Sequence, residues 1–176
     1  MRRELRPYLA LALSIVLFDQ ITKSIIRVSF LPGESKQVLG DFLRFCFVYN
    51  QGGAFGVKVG NYLLYTVLAI SVAILLTVYL FKYNRPDKIF LALVIGGAVG
   101  NLFDRILYGK VIDFIDVDII DIVIPQFSFL FFKFKGFELY RWFTFNIADA
   151  AVTVGLLGLI FHIILKGKPS RKTQQI

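Results

Sequence analysis

Apolar residues run along this chain in four long blocks, and the segments between them alternate in polarity or turn polar. The blocks lie near Pro7–Arg27, Asn61–Phe81, Ile89–Leu107 and Ile147–Leu165. Each holds about 20 residues, which at a rise of about 1.5 Å per residue covers the roughly 30 Å hydrocarbon core of a bilayer. The second carries no charged residue from Tyr62 to Phe81. The first begins like a signal peptide, with Arg2, Arg3 and Arg6 ahead of the apolar run Tyr8–Phe18. Its apolar pattern resumes beyond Asp19, Gln20 and Lys23, and no small-x-small cleavage site follows, so an uncleaved span is expected. Segment 28–60 has short alternating stretches such as Val38–Val48, with turn signals at Pro32–Gly33, Gly40 and Gly52–Gly53. It reads as a small β-rich element. Segment 108–146 starts acidic, with Asp113, Asp116, Asp118 and Asp121, and then turns aromatic from Phe127 to Phe143. Aromatics interleaved with Lys133, Lys135 and Arg141 suit the membrane interface, as an amphipathic strand or a surface helix. The predicted fold is therefore membrane α-helical: one integral domain over 1–176, with four transmembrane helices, a β-rich cradle over 28–60 and a loop or helix within 108–146.

Composition sharpens this picture. The chain is 57% apolar and 18% charged, which excludes disorder and makes a water-soluble globule a poor fit. One cysteine excludes an internal disulfide framework and a cysteine zinc cluster, and one histidine excludes a multi-histidine metal site. No metal and no cofactor are expected. The net charge of +8 raises the question of nucleic acid. Ten of the twenty basic residues, however, sit in three short stretches: Arg2–Arg6, Lys82–Lys88 and Lys166–Lys172. An even number of spans puts all three on one side, and the positive-inside rule makes that side cytoplasmic. Both termini are then cytoplasmic, and segments 28–60 and 108–146 face outward. A nucleic-acid groove needs its cations on one continuous face, and none is seen.

Ionisable groups within spans are costly and mark function by default. Here they gather toward one leaflet. Asp19 and Lys23, four apart on one helix face, lie in the outer half of the first span. Asn101, Asp104 and Arg105 share a face at the outer end of the third. Asn146 and Asp149 open the fourth, Asp113 follows the third, and Asn50 lies in the outer loop with Gly52. His162 is 13 residues past Asp149 toward the cytoplasm, so a histidine-activated nucleophile is not available there. A Ser–Lys pair around Lys23 is disfavoured, because Ser24 adjoins it and Ser14 is more than two turns away. Two carboxylates remain, Asp149 and one of the acids after the third span. A close carboxylate pair shares a proton, so one member can act as base and the other as acid. Spacing alone does not choose among Asp113, Asp116, Asp118 and Asp121. Asp149 also fits a plain first-turn acid favoured by the helix dipole, and Asp19 with Lys23 a structural ion pair. The glycines of Gly96–Gly100, with Gly155 and Gly158, suit helix packing. A rival reading is a proton-coupled transporter or channel subunit, with Asp19, Lys23, Asp104 and Arg105 as a relay. It expects polar groups through the whole membrane depth, whereas the inner halves of these spans are apolar.

At these residues the chain resembles the lipoprotein signal peptidases, the bacterial signal peptidase II family. Asp19-Gln20-Ile21-Thr22-Lys23 resembles its D-x-x-x-K block, and Asn50-Gln51-Gly52-Gly53-Ala54-Phe55 its N-x-G-x-x-F loop. Gly96 to Arg105 resembles G-G-x-x-G-N-x-x-D-R, Gly109 to Phe114 resembles G-x-V-x-D-F, and Phe145 to Asp149 resembles F-N-x-A-D. The resemblance implies an aspartic endopeptidase, a hydrolase of the bacterial cytoplasmic (inner) membrane. Its substrates would be diacylglyceryl-modified prolipoproteins, from which it removes signal peptides at the outer face. Asp113 and Asp149 would be the catalytic pair. Asn50, Gly52, Asn101, Asp104, Arg105 and Asn146 would bind substrate or orient the pair, and Asp19 with Lys23 would support it. Globomycin-type inhibitors, membrane lipids and a monomeric state come with the resemblance. The stretch between the two aspartates is longer than is typical, with a Phe-rich middle.

Overall fold

The computed structural model describes residues 3–51, 62–83, 87–119 and 121–166. Helix α1 spans Arg6–Ser29, α2 Tyr62–Lys82, α3 Lys88–Tyr108 and α4 Ile147–Lys166. All four are long and apolar enough to cross a membrane. Pro7 stands in the first turn of α1, where its missing N–H has no helical acceptor to lose. Gly109 closes α3 in the left-handed region at φ 67, and its N–H bonds the Arg105 carbonyl.

α3 is the central helix, packed against α1, α2 and α4. Its glycine row makes that possible. A Cβ on Gly97 would strike the Ala148 carbonyl oxygen of α4, and one on Gly100 would lie 2.9 Å from Asp19 Oδ2 of α1. Small residues let helix backbones meet closely where lipid gives no hydrophobic drive to association. An apolar cluster of Leu5, Ala12, Leu80, Leu91, Ala92 and Ile95 fills the bundle toward the N-terminal end of α3. The remaining faces of α2 and α4 leave residues such as Leu64, Leu75, Leu157 and Phe161 exposed, as lipid-facing surfaces require.

A three-stranded antiparallel sheet stands beside the bundle, formed by β1 (Ser35–Leu39), β2 (Leu43–Asn50) and β3 (Val111–Val117) in that order. β3 follows α3 directly, so the end of α3 delivers Asp113 into the sheet opposite Val48. The β2–β3 register slips between Phe45 and Val48. Ile26, Phe47, Ile112 and Phe114 form a second core that seats the sheet on the helices.

Past Tyr108, the last residue of α3, segment 108–146 contains no helix among its described residues. Beyond β3 it forms a nested hairpin, in which β4 (Ile122–Ile124) pairs with β7 (Phe137–Leu139) and β5 (Phe127–Phe129) with β6 (Phe132–Phe134). Of the strand and surface helix that the sequence left open, the strand is realised. The period-two order Phe-Ser-Phe and Phe-Lys-Phe suits a strand and leaves no helical stripe. The last link is a bridge between Ile115 and Phe145, which sets Asn146 and the start of α4 beside β3.

Candidate active site

Lys23 is fully buried, and its ammonium sits 2.8 Å from Asp19 and 3.0 Å from Asp104. Its remaining donor reaches Asn101 Oδ1 at 2.9 Å. Each of these groups serves a second element. Asp19 Oδ1 accepts the Ala148 N–H at 3.0 Å, so a carboxylate of α1 satisfies an open donor of α4's first turn. Asp104 Oδ2 accepts the Ile112 N–H at 3.1 Å, holding β3 beside α3. The Gln20 amide donates to Asp19, to the Gly100 carbonyl and to Asp104, at 3.1–3.2 Å. Gln20 is a member of this network that sequence reasoning did not single out. Its only signal was an amide placed next to Asp19.

Lysine has donors and no acceptor, so Lys23 compels Asn101 to face it with its oxygen. The Asn101 NH2 is thereby turned toward Asp149 Oδ1, at 2.7 Å. Asn146 is oriented by the same logic. Its Oδ1 accepts the Asp149 N–H at 2.9 Å, while Asp149 Oδ2 accepts the Asn146 N–H at 3.3 Å. This reciprocal pair is a capping box at the start of α4. The Asn146 NH2 is left to reach Asp113 Oδ1 at 2.7 Å and the Ile112 carbonyl at 3.1 Å. Asn50 Nδ2 donates to the other oxygen, Asp113 Oδ2, at 3.0 Å.

Asp113 and Asp149 are thus joined through Asn146 and Asn101, from three separate stretches of chain. Asp113 is only 3% exposed. Burial, and then the charge of Asp149, pushes its carboxyl up to about 7 against the opposing pull of the Asn50 and Asn146 donors. Two coupled carboxyls in such surroundings hold one proton between them over a wide pH range. Arg105 is half-buried, and its charge acts on Asp149, Asp113 and Asp104. Gly52 lies outside the described residues.

The acids that spacing left open are separated by the fold. Arg141 Nε binds both oxygens of Asp116, at 2.9 and 3.1 Å, and its Nη1 binds Asp118 at 3.0 Å and the Asp41 carbonyl at 2.8 Å. Asp116 and Asp118 therefore pin the hairpin base to the sheet, while Asp113 faces Asp149. Arg141 is the second residue that sequence reasoning missed. The signal was the one cation between the hairpin and Phe145, set against an excess of acids on β3.

Fold and site together define a four-helix membrane protein with an acid pair, Asp113 buried and Asp149 half-buried, held between a helix start and a small sheet. The family model for signal peptidase (SPase) II matches residues 11–165. The lipoprotein signal peptidase of Moorella thermoacetica is 34% identical over 163 residues, covering 90% of this chain and 93% of that protein. That of Paraburkholderia phymatum is 34% identical over 174 residues, covering 95% of this chain and 93% of that protein. A solved bacterial membrane enzyme, determined by the in meso method at 2.3 Å, aligns with a TM-score of 0.78 and 30% identity, covering 98% of this chain and 95% of that one. A second, at 1.9 Å, aligns with a TM-score of 0.72 and 31% identity, covering 91% of this chain and 94% of that one. The chain belongs to the signal peptidase II family.

Proposed function

We propose that this protein is a membrane aspartic endopeptidase that removes signal peptides from diacylglyceryl-modified prolipoproteins. The observation that carries the reading is the coupling of Asp113 and Asp149 through two asparagines whose amide directions are fixed by Lys23 and by the start of α4. In the resting pair one carboxyl is protonated and one is ionised. The ionised carboxylate takes a proton from water as its oxygen attacks the scissile carbonyl carbon. The protonated carboxyl donates to the carbonyl oxygen, giving a neutral gem-diol. The first carboxyl then gives its proton to the amide nitrogen while the second, now ionised, takes a proton from one gem-diol hydroxyl; the C–N bond breaks, the amine and the carboxylic acid leave, and the pair is restored. Asn50, Asn101 and Asn146 orient the carboxyls, and Arg105 supplies positive charge beside them. Gly52 and its loop bind substrate backbone. Asp19, Lys23 and Asp104 are positioning residues, since they act through Asn101, Ala148 and Ile112.

The site lies at the outer face of the bacterial inner membrane, with both termini cytoplasmic. The lipid-modified substrate arrives sideways with its acyl chains still in the bilayer. Globomycin-type inhibitors occupy the same site, and the protein works as a monomer. A relay for ion transport finds no support: the apolar cluster around Leu91 and Ile95 separates the buried polar network from Asp87 and Lys88 at the other end of α3. The decisive experiment is cleavage of a synthetic diacylated prolipoprotein peptide by the purified protein. Release of the signal peptide just before the lipidated cysteine is expected. No cleavage by folded protein overturns the reading.

A further inference from the structure

Outside the helices, among the described residues, the outer section of the nested hairpin exposes Phe127, Phe129, Leu130, Phe131 and Phe132 together. In the β5–β6 register Phe127 faces Phe134 and Phe129 faces Phe132, while Ser128 faces Lys133. Four phenylalanines therefore share one face, and the serine and lysine share the other. The turn between the strands is Leu130–Phe131, with Leu130 at φ 53. A two-residue hairpin turn needing positive φ at its first position is ordinarily filled by glycine, and a residue with a Cβ is strained there. Leu130 is 82% exposed and Phe131 is fully exposed. In water this tip combines backbone strain with the cost of leaving two large apolar side chains unburied. An apolar medium around the tip removes the second cost and offsets the first.

We infer that the Leu130–Phe131 tip inserts into the bilayer that holds the helices, with Lys133 and Lys135 against lipid phosphates. Reach permits it. β3 leads roughly 20 Å away from the end of α3, and the hairpin arm from Asp118 to Leu130 spans up to about 40 Å. Its base is fixed, because Arg141 binds Asp116 and Asp118 and the Trp142 N–H bonds the Val117 carbonyl at 3.1 Å. Its chemistry fits too: an apolar tip flanked by exposed lysines matches acyl chains beneath anionic headgroups. A second copy is the poorer occupant, since a two-fold contact between such tips sets Lys133 against Lys133.

The test uses the chain's single tryptophan. In full-length Trp142→Phe, Phe131→Trp protein, placed one copy per nanodisc of phosphatidylcholine and phosphatidylglycerol, the tip carries the only indole. Expected are blue-shifted emission, several-fold stronger quenching by acyl-brominated lipid than by iodide, and weaker lipid quenching in the Lys133→Glu, Lys135→Glu background. Emission at the wavelength of free tryptophan with dominant iodide quenching overturns the inference. So does lipid quenching that appears only when two copies share a disc. A spin label at Phe131→Cys, in a Cys46→Ser background, supplies the second measurement. Greater relaxation by oxygen than by a nickel chelate supports insertion, and the reverse overturns it. Neither readout uses cleavage, so failure here is separable from failure of the proposed chemistry.

Discussion

Asn146 and Asp149 bond each other twice, side chain to backbone in both directions, at 2.9 and 3.3 Å. The pairing satisfies open N–H groups at the start of α4, as any helix of this kind requires. It also does something a cap alone does not need. With its oxygen committed to Asp149, the Asn146 amide can present only hydrogens to Asp113. The cap that starts the helix therefore sets the polarity of the link that Asn146 makes between the two acids.

Asp113→Asn and Asp149→Asn each keep the shape of the side chain but cannot carry the shared proton. Cleavage of a lipopeptide should fall by about 10²–10⁴-fold or more in each. Initial rates of the folded variants check this, and near-normal turnover in either one rejects the assignment.

The raised Asp113 carboxyl makes stability and activity depend on pH. Its contribution to folding is complete below 3.8 and is lost as pH rises through about 7, because ionising the buried group is costly. The loss is at most about 4 kcal/mol. Thermal unfolding of wild type should show this decline between those limits, and Asp113→Asn should not. Asn50 donates to the ionised form, so Asn50→Ala should move the alkaline limb of the cleavage profile to higher pH. A shift to lower pH contradicts the bond's stated role.

Lys23→Met strips the cation from two buried carboxylates, Asp19 and Asp104. Breaking a buried ion network by removing one partner costs about 3–5 kcal/mol. The unfolding midpoint in detergent should drop accordingly. The triple variant Asp19→Asn, Lys23→Met, Asp104→Asn should regain much of the loss, since no buried charge is then uncompensated. Equal stability of Lys23→Met and wild type would show that the triad is not held as described.

Gly97→Ala places a methyl group against the Ala148 carbonyl and 2.7 Å from Val152 Cγ2. α3 and α4 must part, at about 1–3 kcal/mol of overpacking. Asn101 lies one turn from Gly97 and Asp149 is next to Ala148, so cleavage should fall more steeply than stability. Paired measurements of kcat and unfolding midpoint check the split.

Topology is testable by cysteine labelling in a Cys46→Ser background. Cysteines at Lys36 and Lys133 should react with an impermeant reagent from outside the cell, and one at Arg85 only after permeabilisation. External labelling at Arg85 would reverse the orientation.

Much of this architecture was legible from the chain alone. Span length and hydropathy are local sums over about 20 residues, and the bilayer reads them with little reference to the rest of the protein. The one-sided placement of Asp19, Asn101, Asp104 and Asn146 follows once the spans are ordered, because successive spans run in alternate directions. What the chain could not show by spacing is which acid faces Asp149. Asp113 and Asp116 lie on one strand and Asp118 just past its end, and their fates diverge through contacts made far away in sequence: Asn50 and Asn146 for the first, Arg141 for the other two. The tertiary structure decided the amide directions as well. Lys23 meets Asn101 only because α1 and α3 approach closely at Gly100, and the direction of the Asn101 amide toward Asp149 depends on that contact. Hydropathy adds up along a segment, whereas a hydrogen bond depends on sub-ångström placement of groups from different segments, and only the packed fold supplies that placement.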